Sequence, residues 1–112
     1  MQISVSSRRT GDVLTVRVAG DVDLATAPTV QNAILDAIAV DGVSEVLVDL
    51  SGVEFLDSSG VALLLKGRRA ADQRAVGFRV IEAHGIPRQV LEMTGVWTHL
   101  VDDSGPTRPA AP

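Results

Sequence analysis

Residues 46 to 65 constrain the fold most. They open with Val46-Leu47-Val48-Asp49-Leu50, an apolar run too short for a helix. Such a run reads as a strand inside a sheet, buried on both faces. Ser51-Gly52 breaks it. Asp57-Ser58-Ser59-Gly60 follows, and then a second apolar stretch with helical spacing, Val61 to Leu65. Asp and Ser are helix-start residues, because their side-chain oxygens accept from the unpaired N–H groups of the first turn. The stretch therefore predicts strand, loop and helix, with hydroxyls on a helix N-terminus. That end carries partial positive charge and free donors, so it tolerates an added anion.

The flanking sequence supplies more units of the same kind. Ile3 and Val5 alternate with polar residues, and so do Leu14, Val16 and Val18. With Thr10-Gly11-Asp12 between them, these runs predict a β-hairpin. Gly20-Asp21-Val22-Asp23 reads as a connector. Val30, Ala33, Ile34, Ala37 and Ile38 then form the stripe of an amphipathic helix, with Thr26 as its cap and Pro28 in its first turn. The helix after Ser58 is expected from about 59 to 74. Its inner stripe is Gly60, Leu63, Leu64, Gly67 and Ala71, small enough at three positions for close approach to a sheet. Gly77 to Glu82 predicts a strand, and Ile86 to Thr94 a helix stopped by Gly95. Val96 to Val101 reads as a short strand or turn.

Alternation of strands and helices predicts an α/β fold: a four- to five-stranded mixed, mainly parallel sheet covered by three or more helices. One domain is expected over residues 1–101. Residues 102–112, rich in Pro, Ala and polar residues, are expected to be a disordered tail.

Composition excludes several functions. The chain has 112 residues, enough for one core, and its net charge of −4 argues against nucleic acid. Having no Cys, it has no disulfides, thiolate metal sites or Cys nucleophiles. Its longest apolar run, Val61 to Leu65, is too short for direct membrane insertion. The N-terminus lacks a signal-peptide pattern, so the expected location is the cytoplasm. His84, His99, Asp57 and Ser58 suggest a triad only on paper, since no G-x-S-x-G elbow occurs. Neither a metal-ligand spacing nor a phosphate loop is present, and no cofactor is expected.

Val48-Asp49-Leu50-Ser51-Gly52-Val53, followed by Phe55-Leu56-Asp57-Ser58-Ser59-Gly60 and Leu63-Leu64, closely resembles the core motif of the STAS family of bacterial anti-sigma factor antagonists. Gly20-Asp21-Val22-Asp23 and Met93-Thr94-Gly95-Val96-Trp97 resemble two further family segments. Asp21 stands where Glu is usual, and Val61 where Leu is frequent. The resemblance covers roughly residues 12 to 100 and implies the same α/β fold. It implies that Ser58 is a phosphorylation site. It also implies that the unphosphorylated chain, itself not an enzyme, binds an anti-sigma factor that is also a serine kinase, releasing a sigma factor. A phosphoserine phosphatase would reverse the switch.

The expected partner surface comprises Asp23, Asp57, Ser58, Ser59, Gly60, Val61 and Leu65. Asp23 has two readings, a capping carboxylate or a recognition residue beside Ser58. Val61 and Leu65 either pack under a neighbouring element or form an exposed apolar edge beside Ser58. Two other functions stay open: a regulatory or scaffold subunit of a transporter or signalling complex, and a nucleotide-binding domain.

Overall fold

The computed structural model describes residues 3–101. Strand β1 (Ile3–Thr10) and strand β2 (Val13–Val22) form the expected antiparallel hairpin, turning at Gly11, whose φ of +64° suits a residue without a side chain. Helix α1 (Ala27–Ile38) leads to strand β3 (Glu45–Leu56), parallel to β2. Helix α2 (Ser58–Gln73) leads to strand β4 (Gly77–Ile81), parallel to β3. Helices α3 (Gly85–Met93) and α4 (Trp97–Leu100) complete the described chain. Among the described residues the sheet has four strands in the order β1-β2-β3-β4.

That order decides where the core lies. Both crossovers, β2 to β3 and β3 to β4, step in the same direction across the sheet. Crossovers of one hand stepping one way put their helices on one face. Accordingly α1 and α2 pack against each other and against the strands. The strands bury Leu14, Val16, Val18, Val46, Val48, Leu50, Phe78 and Val80 on that face, under Val30, Ile34, Ala37 and Ile38 of α1. The α2 stripe falls as its spacing predicts: Gly60, Leu63, Leu64, Gly67 and Ala71 are all buried. A Cβ on Gly67 would lie 2.9 Å from Ile34 and 3.1 Å from Phe78, so its lost helix propensity is exchanged for close packing.

Several expectations need correction. Residues 46 to 50 are buried on one face only: Leu47 and Asp49 are half-buried on the other. Ser51-Gly52 does not end the strand, which continues to Leu56. Instead β3 carries extra residues where its register on β2 shifts, between Arg17 and Ala19 and again between Gly20 and Asp21. Gly52 permits the approach there, since a Cβ on it would sit 2.7 Å from Ala19 Cβ. The Asp49 carboxylate accepts from the Ser51 N–H at 2.8 Å, satisfying a donor at the irregularity.

For the same reason Gly20-Asp21-Val22 is the end of β2, not a connector. Helix α2 starts at Ser58, one residue earlier than expected, because Asp57 is its cap. Val96 to Val101 contains neither strand nor simple turn but the short α4, which buries Leu100. The expected tail, 102–112, lies outside the described residues.

Candidate functional site

The site forms where β2 and β3 end side by side. Val22 is in register with Leu56, so the next residues, Asp23 and Asp57, leave the sheet as neighbours. A backbone bond from Asp57 N–H to the Val22 carbonyl, 3.2 Å, ties the two exits together. Carboxyl ends of parallel strands are where α/β sheets commonly place their ligands.

At the β3 exit Asp57 has an extended backbone and caps α2. Its Oδ1 accepts from Ser59 N–H at 2.8 Å and from Gly60 N–H at 3.3 Å. The free first-turn donors expected from sequence are therefore partly taken, and Ser58 N–H is the one that Asp57 leaves. Gly60 seats this turn on the sheet: a Cβ there would meet Leu56 at 2.6 Å and Val22 at 3.1 Å. Seating the third residue inward turns the first outward. Ser58 is exposed, Ser59 half-buried and Gly60 buried.

At the β2 exit Asp23 organises a tight turn. Its Oδ1 accepts from Ala25 N–H and Thr26 N–H, both at 3.0 Å. The buried Thr26 hydroxyl donates to the Asp21 carbonyl at 2.8 Å and accepts from Asp23 N–H at 3.0 Å. Thr26 does occupy the cap position of α1, but its side chain makes no capping bond; Asp23 supplies the oxygen instead. Asp23→Ala is expected to cost about 1 kcal/mol, because it leaves turn donors without their acceptor. Asp23→Asn keeps an oxygen in place and should melt close to wild type. Thermal denaturation of the two variants checks this.

The turn lifts Leu24 into solvent, 79 % exposed. Leu24 then walls a groove between α1 and α2 of about 380 Å³, together with Ala27, Pro28, Gln31, Ser59, Ala62, Leu63 and Lys66. Val61 does not contribute to an exposed edge: it is 8 % exposed and belongs to the core. Leu65 is half-buried against the core and lines a separate pocket with Arg68, Arg69, Asp72 and His99. The apolar element at the Ser58 end is thus Leu24 with Ala62, not Val61 with Leu65. Leu24 precedes the α1 stripe in a turn segment, and an apolar residue that no stripe absorbs was the available signal.

His84 places Nε2 3.0 Å from the Ser51 carbonyl. No group of His, Asp and Glu able to hold a metal occurs among the described residues. No described helix is long and apolar enough to cross a membrane.

Fold and site together define a small α/β domain that presents a serine on the first turn of its inner helix. Residues 4–105 match the STAS domain family, and the chain belongs to that family. It is 30 % identical over 94 residues to the anti-sigma-F factor antagonist RsfB of Mycobacterium tuberculosis, spanning 84 % of this chain and 75 % of that one. An anti-sigma factor antagonist from Mycobacterium paratuberculosis shares the fold with a TM-score of 0.80 and 29 % identity, over 88 % of this chain and 83 % of the other. The unphosphorylated form of the anti-sigma factor antagonist SpoIIAA superposes with a TM-score of 0.71 over 83 % and 82 % of the two chains; at 22 % identity, this likeness concerns the fold.

Proposed function

We propose that this protein is an anti-sigma factor antagonist whose binding surface is switched by phosphorylation of Ser58. The observation that carries the reading is the exposed Ser58 side chain on the first turn of α2, beside the Asp23-Leu24 turn. The names of the relatives above support the antagonist role. In the unmodified state the surface binds an anti-sigma factor, freeing a sigma factor. That partner is also a serine kinase and supplies the ATP chemistry; a phosphoserine phosphatase restores the free hydroxyl. The domain itself is a binding module and a kinase substrate.

The surface divides its work by chemistry. Leu24 and Ala62 offer apolar area, which anchors interfaces best when fully desolvated. Asp23 and Asp57 offer carboxylates that set orientation and reject wrong partners. Both also hold backbone turns, so their charge is fixed in position before a partner arrives.

Titration of the purified chain with the anti-sigma factor of the same genome tests the reading, and absence of binding by the unmodified chain would sink it. Leu24→Ala should weaken that binding roughly tenfold while leaving Tm near wild type, since Leu24 is largely exposed in the free domain. Asp23→Asn separates charge from turn: weaker binding at unchanged Tm supports a recognition role, and unchanged binding leaves Asp23 with the turn alone.

A further inference from the structure

Among the described residues, the sheet has one covered face and one open one. On the open face no described residue is buried: Ser4, Ser6, Arg8 and Arg17 are exposed, while Val13, Thr15, Leu47, Asp49, Arg79 and Ile81 are half-buried. The position of both crossover helices on the opposite face accounts for this. In its middle lies a pocket of about 390 Å³ lined by Ser6, Arg8, Thr15, Arg17 and Asp49. That volume matches a small metabolite.

The strand register determines the arrangement of charge. Arg8 stands opposite Thr15 and Ser6 opposite Arg17, so the two arginines are diagonal neighbours on adjacent strands, roughly 7–8 Å apart. Arg17 is in turn level with Asp49 on β3. Yet neither Arg8 nor Arg17 has an ion pair among the described residues. Asp49 directs Oδ1 to the Ser51 N–H instead. Two guanidinium groups thus converge on one polar hollow of a chain with net charge −4, with two hydroxyls between them and a carboxylate on the far wall.

We propose that this hollow binds a small hydroxylated phosphate monoester. A carboxylate has two oxygens and saturates on a single guanidinium fork. A phosphate offers three oxygens in three directions, enough for both arginines and a hydroxyl of Ser6 or Thr15. Asp49 repels an anion that spreads toward β3 but accepts from a ligand hydroxyl there. The ligand is therefore oriented, phosphate toward β1 and hydroxyl toward β3. The site faces away from α2, so its occupancy leaves Ser58 accessible, and the proposal does not depend on the Ser58 switch.

Amide chemical shifts of the full chain, titrated at constant ionic strength with glycerol 3-phosphate, inorganic phosphate and glycerol, test it. Glycerol 3-phosphate should produce saturable shifts centred on Ser6, Arg8, Thr15 and Arg17. Inorganic phosphate should bind more weakly, and glycerol not at all. Arg8→Gln and Arg17→Gln should each lower the affinity for glycerol 3-phosphate about tenfold or more without changing Tm, since both side chains are exposed. Shifts that never saturate, or that centre on Ser58 and Ser59, would overturn the proposal. So would unchanged affinity in the double variant. Inorganic phosphate binding as tightly as the ester would overturn the assignment of a hydroxylated ligand.

Discussion

Phosphorylation of Ser58 is expected to abolish binding to the anti-sigma factor while the domain stays folded. A phosphoserine adds about −1.5 to −2 charges and three acceptor oxygens. The α2 dipole and the Ser58 N–H favour charge at this position. The Asp57 carboxylate opposes it, because it already holds the N–H groups of Ser59 and Gly60. These terms act on an exposed residue, so the net change in stability should be about 1 kcal/mol or less, a few degrees in Tm. The interface is far less tolerant. A dianion must be desolvated there beside Asp57 and the Asp23 turn, and like charges at an interface cost several kcal/mol. The loss in affinity should be on the order of a hundredfold or more. Ser58→Ala should bind as the unmodified chain does and take no phosphate, giving a constitutive antagonist. Ser58→Glu should bind poorly, though one carboxylate imitates a phosphate only in part. Ser59→Ala should remain a substrate, since Ser59 is half-buried one position further into the helix. Phosphosite mapping after incubation with the kinase and ATP, with binding measured for each variant, decides the matter. Phosphate found only on Ser59, or a phosphorylated chain that binds as tightly as the unmodified one, would refute the switch.

Much of this architecture was legible in the sequence because single residue types carry single physical instructions. Of the α1 stripe, Val30, Ile34, Ala37 and Ile38 are buried as their spacing predicts, and Ala33 is half-buried against the core. Asp57-Ser58-Ser59-Gly60 is a helix start, and Gly60 and Gly67 are small because Leu56, Ile34 and Phe78 occupy the space a Cβ would need. What failed to show was whatever depends on a neighbour. Ser51-Gly52 reads as a break locally, yet Ala19 on β2 fills the room that Gly52 leaves, and the pairing carries on. Val61 and Leu24 are both aliphatic, and only the position of the sheet makes one core and the other surface. The run Val46 to Leu50 looks buried on both faces because Leu47 interrupts its polar alternation. Topology leaves one face uncovered, and a single strand's composition does not contain topology.

Two substitutions one residue apart on β3 should therefore have opposite outcomes. Val48→Asp is expected to unfold the domain. Val48 is fully buried, in register with Val16 on β2 and Val80 on β4, both buried on the same face. An aspartate there forfeits about 1.5–3 kcal/mol of apolar burial. It also places a carboxyl among Val and Leu side chains, which costs several kcal/mol more whether the group stays charged or takes up a proton. Together these rival the roughly 5–15 kcal/mol that holds a domain of this size. Leu47→Asp places the same charge on the open face, where Leu47 is half-buried and in register with Thr15 and Arg79. Solvent remains available to it there, so the loss should be about 1 kcal/mol or less. Circular dichroism melts of the two variants measure the contrast directly. A cooperative wild-type-like melt for Val48→Asp would refute the placement of the core. Equal collapse of Leu47→Asp would show that the second face of the sheet is covered as well, and with it the hollow between Arg8 and Arg17 would be closed.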